Sequence, residues 1–586
     1  MIQKLSRSDE LSKSLLKTAI STSRRGFIAI GVFTAVINIL MLTGSFFMLQ
    51  VYDRVIPSRS LPTLVGLVVL VTILYAFQGV LDAIRGRLLV RIGGVLGDRL
   101  SSGVYDAIVQ LPLVSRSVGD GLQPVRDIDQ IRSFLSGLGP TAFFDLPWMP
   151  LYLGLCFAFH FWIGIAALVG ALLLIAITFL TDVLTRSPVK ESSGFAAARM
   201  GQLEASRRNA EVLRSMGMRR HLFERWSTSN QQYLATQREA ADAAGGLGAA
   251  SRVMRMLLQS AVLAVGAYLV INQQATGGVI IASSILTSRS LAPIELAIAN
   301  WKGLLSALQS WKRLSELINR LTPADTPMAL PAPKQQLSVE AVSIAPPGSQ
   351  KLVVNNVSFR LEAGQALGII GPSASGKSSL ARAIVGVWQT ARGKVRFDGA
   401  AIQQWDVEVL GRHIGYLPQD VGLFDGTIAE NIARFDPEAR SEAIIEAAQA
   451  AGVHEMIVQF SDGYQTAIGE GGAALSAGQR QRVALARALY GSPFIVVLDE
   501  PNSNLDADGD RALARAVSGV RERGGVAIIV AHRPAALGSV DLILAISNGE
   551  MQAFGPKDEV LKKILEPNRV SPVRSPPSSA LAKGVG

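Results

Sequence analysis

The segment GPSASGKSS, residues 371–379, has the residue types and spacing to hold phosphate. Gly371, Gly376, Lys377 and Ser378 match the pattern G-x-x-x-x-G-K-[ST], with Pro372, Ser373, Ala374 and Ser375 filling the loop and Ser379 following it. The glycines let backbone N–H groups close around phosphate oxygens, the lysine ammonium neutralises β- and γ-oxygens, and Ser378 offers a hydroxyl to Mg2+ at a helix N-terminus. The strand-like QALGII before the loop and the helical LARAIVGV after it give the order strand, loop, helix that this chemistry needs. The alternative, a chance glycine turn, loses ground because FIVVLDEP follows about 120 residues on. There a buried apolar strand ends in Asp499 and Glu500, two carboxylates suited to different tasks. Asp499 suits Mg2+, held through a water, since hard cations prefer oxygen. Glu500 suits the acceptance of a proton from an attacking water. An acidic pair at a strand end also serves simply to cap the next helix.

These residues need a scaffold, and the chain provides two. Its 586 residues exceed the roughly 150 of one domain. Hydrophobic residues make up 49% of the whole but crowd the first half, in runs such as GFIAIGVFTAVINILMLTGSFFML. That half belongs in lipid, where only helices or closed barrels satisfy the backbone. Six spans are expected, the first over that run and the others near 61–81, 142–160, 162–183, 256–272 and 277–299. The connections at 85–138 and 186–250 are long and rich in arginine, so they and both termini are expected on the cytoplasmic side of the membrane. TPADTPMALPAPKQQ cannot continue a helix and reads as a linker. The expected division is an amphipathic segment over 1–25, a transmembrane domain over 26–321, a linker over 322–336, a nucleotide-binding domain over 337–567 and a disordered tail over 568–586. The fold class is an all-α six-helix membrane domain joined to an α/β phosphate-loop domain. The net charge of +11 is accounted for by basic residues beside the spans, facing anionic lipid, so the bilayer rather than nucleic acid is the expected partner. The single cysteine, Cys156, lies within an apolar span and excludes an intrachain disulfide or a cysteine metal cluster.

The stretch LSAGQRQRVALARAL at 475–489, just before the acidic strand, resembles the signature motif of the ABC transporter family. The resemblance implies ATP as substrate with Mg2+, and a homodimer of half-transporters with the type I exporter fold. Ser476, Gly478 and Gln479 would then meet the γ-phosphate held by the partner's loop, at the positive end of a helix. It also implies that Gln419, in GYLPQD, senses Mg2+ and the attacking water, and that His532, in IIVAHRP, is the switch histidine on the γ-phosphate. Ser503 to Asp506 look like the dimer-communicating loop, and TAIGEGG with Glu470 like the loop that meets the membrane domain's cytoplasmic helices. Two residues depart from the family pattern: Ala477 replaces a glycine of the signature, and Pro346 stands where many members carry an aromatic against adenine.

FFMLQVYDRVIPSRSLPTL at 46–64 and FFDLPWMPLYL at 143–153 are similar to type I secretion ATPases, which export unfolded proteins. About 25 residues precede the first span, fewer than the roughly hundred of a peptidase domain, so cargo with a cleaved double-glycine leader is not expected. The closer resemblance is to exporters of proteases, lipases and glycine-rich repeat proteins, and it implies a cargo with an uncleaved C-terminal signal. A periplasmic adaptor and an outer-membrane channel are the implied partners, and the bacterial inner membrane the implied location. A lipid or small-molecule exporter of the same architecture stays open as the alternative. Asp145, Arg289 and Glu295 are charges in or beside spans, where they either line the path or pair structurally.

Overall fold

The computed structural model describes residues 24–114, 121–321, 330–503, 505–531 and 537–565. The expectations for the N-terminal segment up to residue 23, for the tail and for His532 lie outside the described residues. The chain divides into two compact units, Met1–Ala324 and Asp325–Gly586.

In the first unit, six helices are long and apolar enough to cross a membrane: α1 (Arg24–Ser58), α2 (Leu61–Val114), α4 (Gly139–Phe159), α5 (Phe161–Arg208), α6 (Arg219–Ile271) and α7 (Gly277–Asn319, continuing to Leu321). A short amphipathic helix, α3 (Gln123–Ser136), lies between α2 and α4, with Pro124 in its first turn. The arginine-rich connections are therefore mostly helix: α2 runs 54 residues, α5 48 and α6 53 without a break. Between α4 and α5 only His160 is extended, and its Nδ1 accepts from the Trp162 N–H that starts the next helix.

The apolar window of α7 is 50% buried and that of α2 only 6%, which makes α7 the central helix of this unit. Its core partners include Tyr152, Cys156, Ala167, Leu258 and Val262. Charged and polar pairs fasten the bundle. Arg85 on α2 meets Asp145 on α4 at 3.1 Å and Asp82 at 2.6 Å. Asn38 on α1 donates to the same Asp145 oxygen at 2.9 Å, and the Tyr152 hydroxyl donates to the Asn38 carbonyl at 2.8 Å. Glu295 accepts from Arg255 at 2.8 Å. Two of the three intramembrane charges are thus engaged in holding helices together, whereas Arg289 is exposed. At the start of α7, Asp53 accepts from the Thr276 hydroxyl at 2.6 Å and the Gly278 N–H at 2.8 Å, tying α1 to that terminus.

The second unit contains two sheets. The strands are β1 (Gln336–Ile344), β2 (Val354–Glu362), β3 (Ala366–Ile370), β4 (Arg392–Phe397), β5 (Ala400–Ala401), β6 (Ile414–Leu417), β7 (Ile495–Asp499), β8 (Val526–Val530), β9 (Leu542–Ser547) and β10 (Glu550–Pro556). An antiparallel sheet has the order β2-β1-β4-β5, and a six-stranded sheet the order β10-β9-β3-β8-β7-β6, parallel except for β10. Strands β7 and β8 are buried throughout, as parallel strands covered on both faces must be. Alternation along β7 divides the core. Ile495 and Val497 pack with the antiparallel sheet and α8 (Lys377–Ile384). Val496 and Leu498 pack with α9 (Ala477–Leu489) and α10 (Ala507–Glu522).

Candidate functional site

The phosphate loop leaves β3 and the acidic pair closes β7, so both emerge at the carboxyl edge of the parallel sheet, where open α/β sheets bind ligands. Gln419 follows β6 at that edge, and His532 comes just after β8 but lies outside the described residues.

The loop turns tightly. Gly371 (φ +153°), Ala374 (φ +63°) and Gly376 (φ +98°) all have positive φ, and turns of this kind are the ones from which backbone N–H groups can converge on an anion. At Gly371 a Cβ would come 2.0 Å from the Ile546 carbonyl oxygen, and at Gly376 2.6 Å from that of Val353, so only glycine fits either place. Ser375 is buried, its hydroxyl unpartnered, and Ser373 lies exposed beside it. Pro372 accepts from the Ser375 N–H at 3.3 Å. The Lys377 ammonium is drawn under the loop, donating to the carbonyls of Gly371 (2.9 Å) and Pro372 (2.7 Å), and burial pushes its pKa below the ordinary value. Ser378 donates to Asp499 Oδ1 at 3.0 Å, and Ser379 continues the first turn of α8.

Asp499 is buried; Oδ2 has no hydrogen-bond partner, and desolvation raises its pKa against the lowering effect of Ser378. The next residue, Glu500, turns left-handed at φ +51°, uncommon for a side chain of this size. Its carboxylate accepts from the Gln419 amide at 3.2 Å. The structure therefore brings together Lys377, Ser378, Asp499, Glu500 and Gln419 around one edge.

It does not bring Ser476, Gly478 or Gln479 to this chain's own loop by any hydrogen bond among the described residues. These residues open α9 instead, with Ser476 and Gln479 in a reciprocal cap: Ser476 N–H to Gln479 Oε1 at 2.8 Å, Gln479 N–H to Ser476 Oγ at 3.3 Å. Ser476 and Ala477 are exposed, and a capping hydroxyl keeps its proton free to donate. Glu470 is exposed in a short turn, Glu470–Gly472. Pro346 lies in a turn closed by the Ser349 N–H at 3.0 Å. In the communicating loop Asn504 lies outside the described residues, while Asp506 caps α10 through the Gly509 N–H and pairs with Arg482. Missed from sequence was Gln481, a buried amide on the stripe formed with Ala484, Leu485 and Ala488. A polar residue on that apolar stripe was the available signal.

A glycine loop at the carboxyl edge of a parallel sheet, a lysine drawn beneath that loop and carboxylates at the end of β7 define a nucleotide-binding ATPase unit, here following six helices long enough to span a membrane. Comparison with known proteins agrees on both units: residues 27–291 match the ABC transporter transmembrane region and 354–503 the ABC transporter domain. The chain is 57% identical over 552 residues to the type I secretion system ATP-binding protein PrsD of Rhizobium meliloti, covering 94% of this chain and 95% of that one. It is 30% identical over 529 residues to the cyclolysin secretion/processing ATP-binding protein CyaB of Bordetella pertussis, covering 89% and 74%. A solved bacterial Atm1-family ABC exporter with ATP bound superposes with a TM-score of 0.79 at 22% identity, covering 93% of this chain and 97% of that one, a likeness of fold alone. The chain belongs to the ABC transporter family, and is a multi-pass bacterial membrane protein whose ATPase is coupled to transport.

Proposed function

We propose that this chain is the inner-membrane half-transporter of a type I secretion system, working as a homodimer to export unfolded proteins that carry a C-terminal signal. The observation that carries the reading is the 57% identity, over nearly the whole of both chains, to the Rhizobium meliloti secretion protein. The conduit is completed by a periplasmic membrane-fusion adaptor and an outer-membrane channel. The arginine-rich helical extensions set the nucleotide unit and both termini in the cytoplasm, where ATP is.

Each ATP lies between the phosphate loop of one chain and the signature helix of its partner. The loop's N–H groups hold the β-phosphate, Lys377 turns from its loop carbonyls toward the β- and γ-oxygens, and the partner's Ser476, Gly478 and Gln479 meet the γ-phosphate at a helix N-terminus. The unpartnered Asp499 Oδ2 beside the Ser378 hydroxyl fits a divalent cation, with Gln419 as the third donor. Mg2+ held there would neutralise charge on the transferred phosphoryl group. Gln419 and Glu500 orient the water, and Glu500 accepts its proton as oxygen attacks the γ-phosphorus in line and the bond to the ADP oxygen breaks. By the family resemblance, His532 is the residue that contacts the γ-phosphate. Closure of the two nucleotide units switches access to the membrane path, and hydrolysis resets it.

The test compares the growth medium of cells making the wild-type chain with that of cells making Glu500→Gln at equal level. Loss of one or a few unprocessed proteins from the medium is expected. An unchanged protein profile together with altered lipids would overturn the protein-secretion reading in favour of a lipid exporter.

A further inference from the structure

The helix that begins at Ser476 also reaches into its own chain's hydrolytic loop. Gln481 is 3% exposed, and its amide donates to the Pro501 carbonyl, with the Glu500 carbonyl and the Ser503 hydroxyl each at 3.5 Å. The turn it meets has the left-handed Glu500 at its head, a conformation that persists only where the surroundings over-determine it. From the sheet side, the Glu500 N–H is fixed to the Val530 carbonyl at 3.0 Å. On the other side the carbonyls of Glu500 and Pro501 both face Gln481, whose amide nitrogen has two hydrogens to offer. One residue further, Arg482 pairs with Asp506, so a single helix grips both ends of the loop.

We propose that Gln481 is a positioning residue for ATP hydrolysis. By clamping the carbonyls of the Glu500–Pro501 turn, it fixes the backbone from which the Glu500 carboxylate reaches Gln419 and the water. The inference rests on Glu500 as proton acceptor. Since Ser476 and Gln481 share α9, the helix that meets one ATP also aims the carboxylate that hydrolyses the other.

The experiment measures ATP turnover by the full chain in lipid nanodiscs for wild type, Gln481→Met, Gln481→Glu, Glu500→Gln and the Gln481→Met/Glu500→Gln double variant. Methionine keeps the volume and donates nothing; glutamate is nearly isosteric and, protonated by burial, offers one hydrogen where the amide offers two, too few to clamp both carbonyls. We expect kcat to fall about 10- to 100-fold with KM for ATP within about twofold, the scale of a misplaced catalytic group. Adding Gln481→Met to Glu500→Gln is expected to cost nothing more, because residues that act as a unit are non-additive. A full further loss in the double variant, or a rise in KM matching the fall in kcat, overturns the inference by marking a general loosening. If the methionine chain fails to fold, the glutamate chain decides on the same two readouts. Normal turnover in the Gln481 variants beside an inactive Glu500→Gln overturns this inference alone, whereas normal turnover in Glu500→Gln overturns the assignment of Glu500 and the inference with it.

Discussion

At the scale of residues, the nucleotide site is built around backbone conformations as much as side chains. Gly376→Ala would force a Cβ against the Val353 carbonyl in a left-handed position, and the expected outcome is loss of ATP binding, measured with a fluorescent ATP analogue, while the chain stays folded. Asp499 makes a second prediction. Burial raises its folded pKa above the unfolded value, so the folded state binds more protons between the two and stability falls as pH rises through that window. Asp499→Asn, which keeps an oxygen for Ser378, should therefore melt higher than wild type at neutral pH without nucleotide, the gap closing as pH falls toward the ordinary aspartate value. Thermal melts in detergent with a chelator would check this, and equal melting temperatures at neutral pH would refute it. That Lys377, Ser378 and Asp499 would meet at one edge was legible in the sequence because each sits in a short motif whose chemistry is contiguous, whereas Gln419 was singled out only through the family resemblance. Gln481 was not legible, because its partners are backbone carbonyls some 20 residues away, and a glutamate does not announce a left-handed turn.

At the scale of elements, hydropathy located the six spans but not the length of their helices. Hydropathy reads contact with lipid, and helical turns that leave the membrane lose that signal while keeping their hydrogen bonds. The partners of Asp145 and Glu295 were equally illegible, since Arg85 and Arg255 lie 60 and 40 residues away on other helices. The Arg85–Asp145 pair carries a prediction of its own. Removing one partner from a buried pair costs about 3–5 kcal/mol, whereas replacing both with apolar residues is often neutral. Arg85→Met is thus expected to destabilise the chain strongly, and Arg85→Met/Asp145→Leu to recover most of the loss, in denaturant unfolding. A double variant as unstable as the single one would mean that the cluster does more than pair charges.

At the scale of the whole molecule, the single cysteine gives the orientation a direct test. Cys156 is fully buried, so the wild-type chain is expected to stay silent toward a membrane-impermeant maleimide. Against that background, the proposed topology expects a cysteine at Gln274, in the turn between α6 and α7, to label from the non-cytoplasmic side, and one at the 70%-exposed Met216 only after the membrane is opened. The reverse pattern would invert the proposed topology. The length of α2 has a further meaning. Its 54 residues extend about 80 Å at ~1.5 Å each, against ~30 Å of hydrocarbon, leaving about 50 Å in water. Such a helix is a lever arm: a tilt of roughly 10° at the membrane surface sweeps its far end by about 9 Å over that length. A slight rotation among lipid-embedded turns and a wide stroke in water are then one motion, with force traded for displacement in the ratio of the two arms.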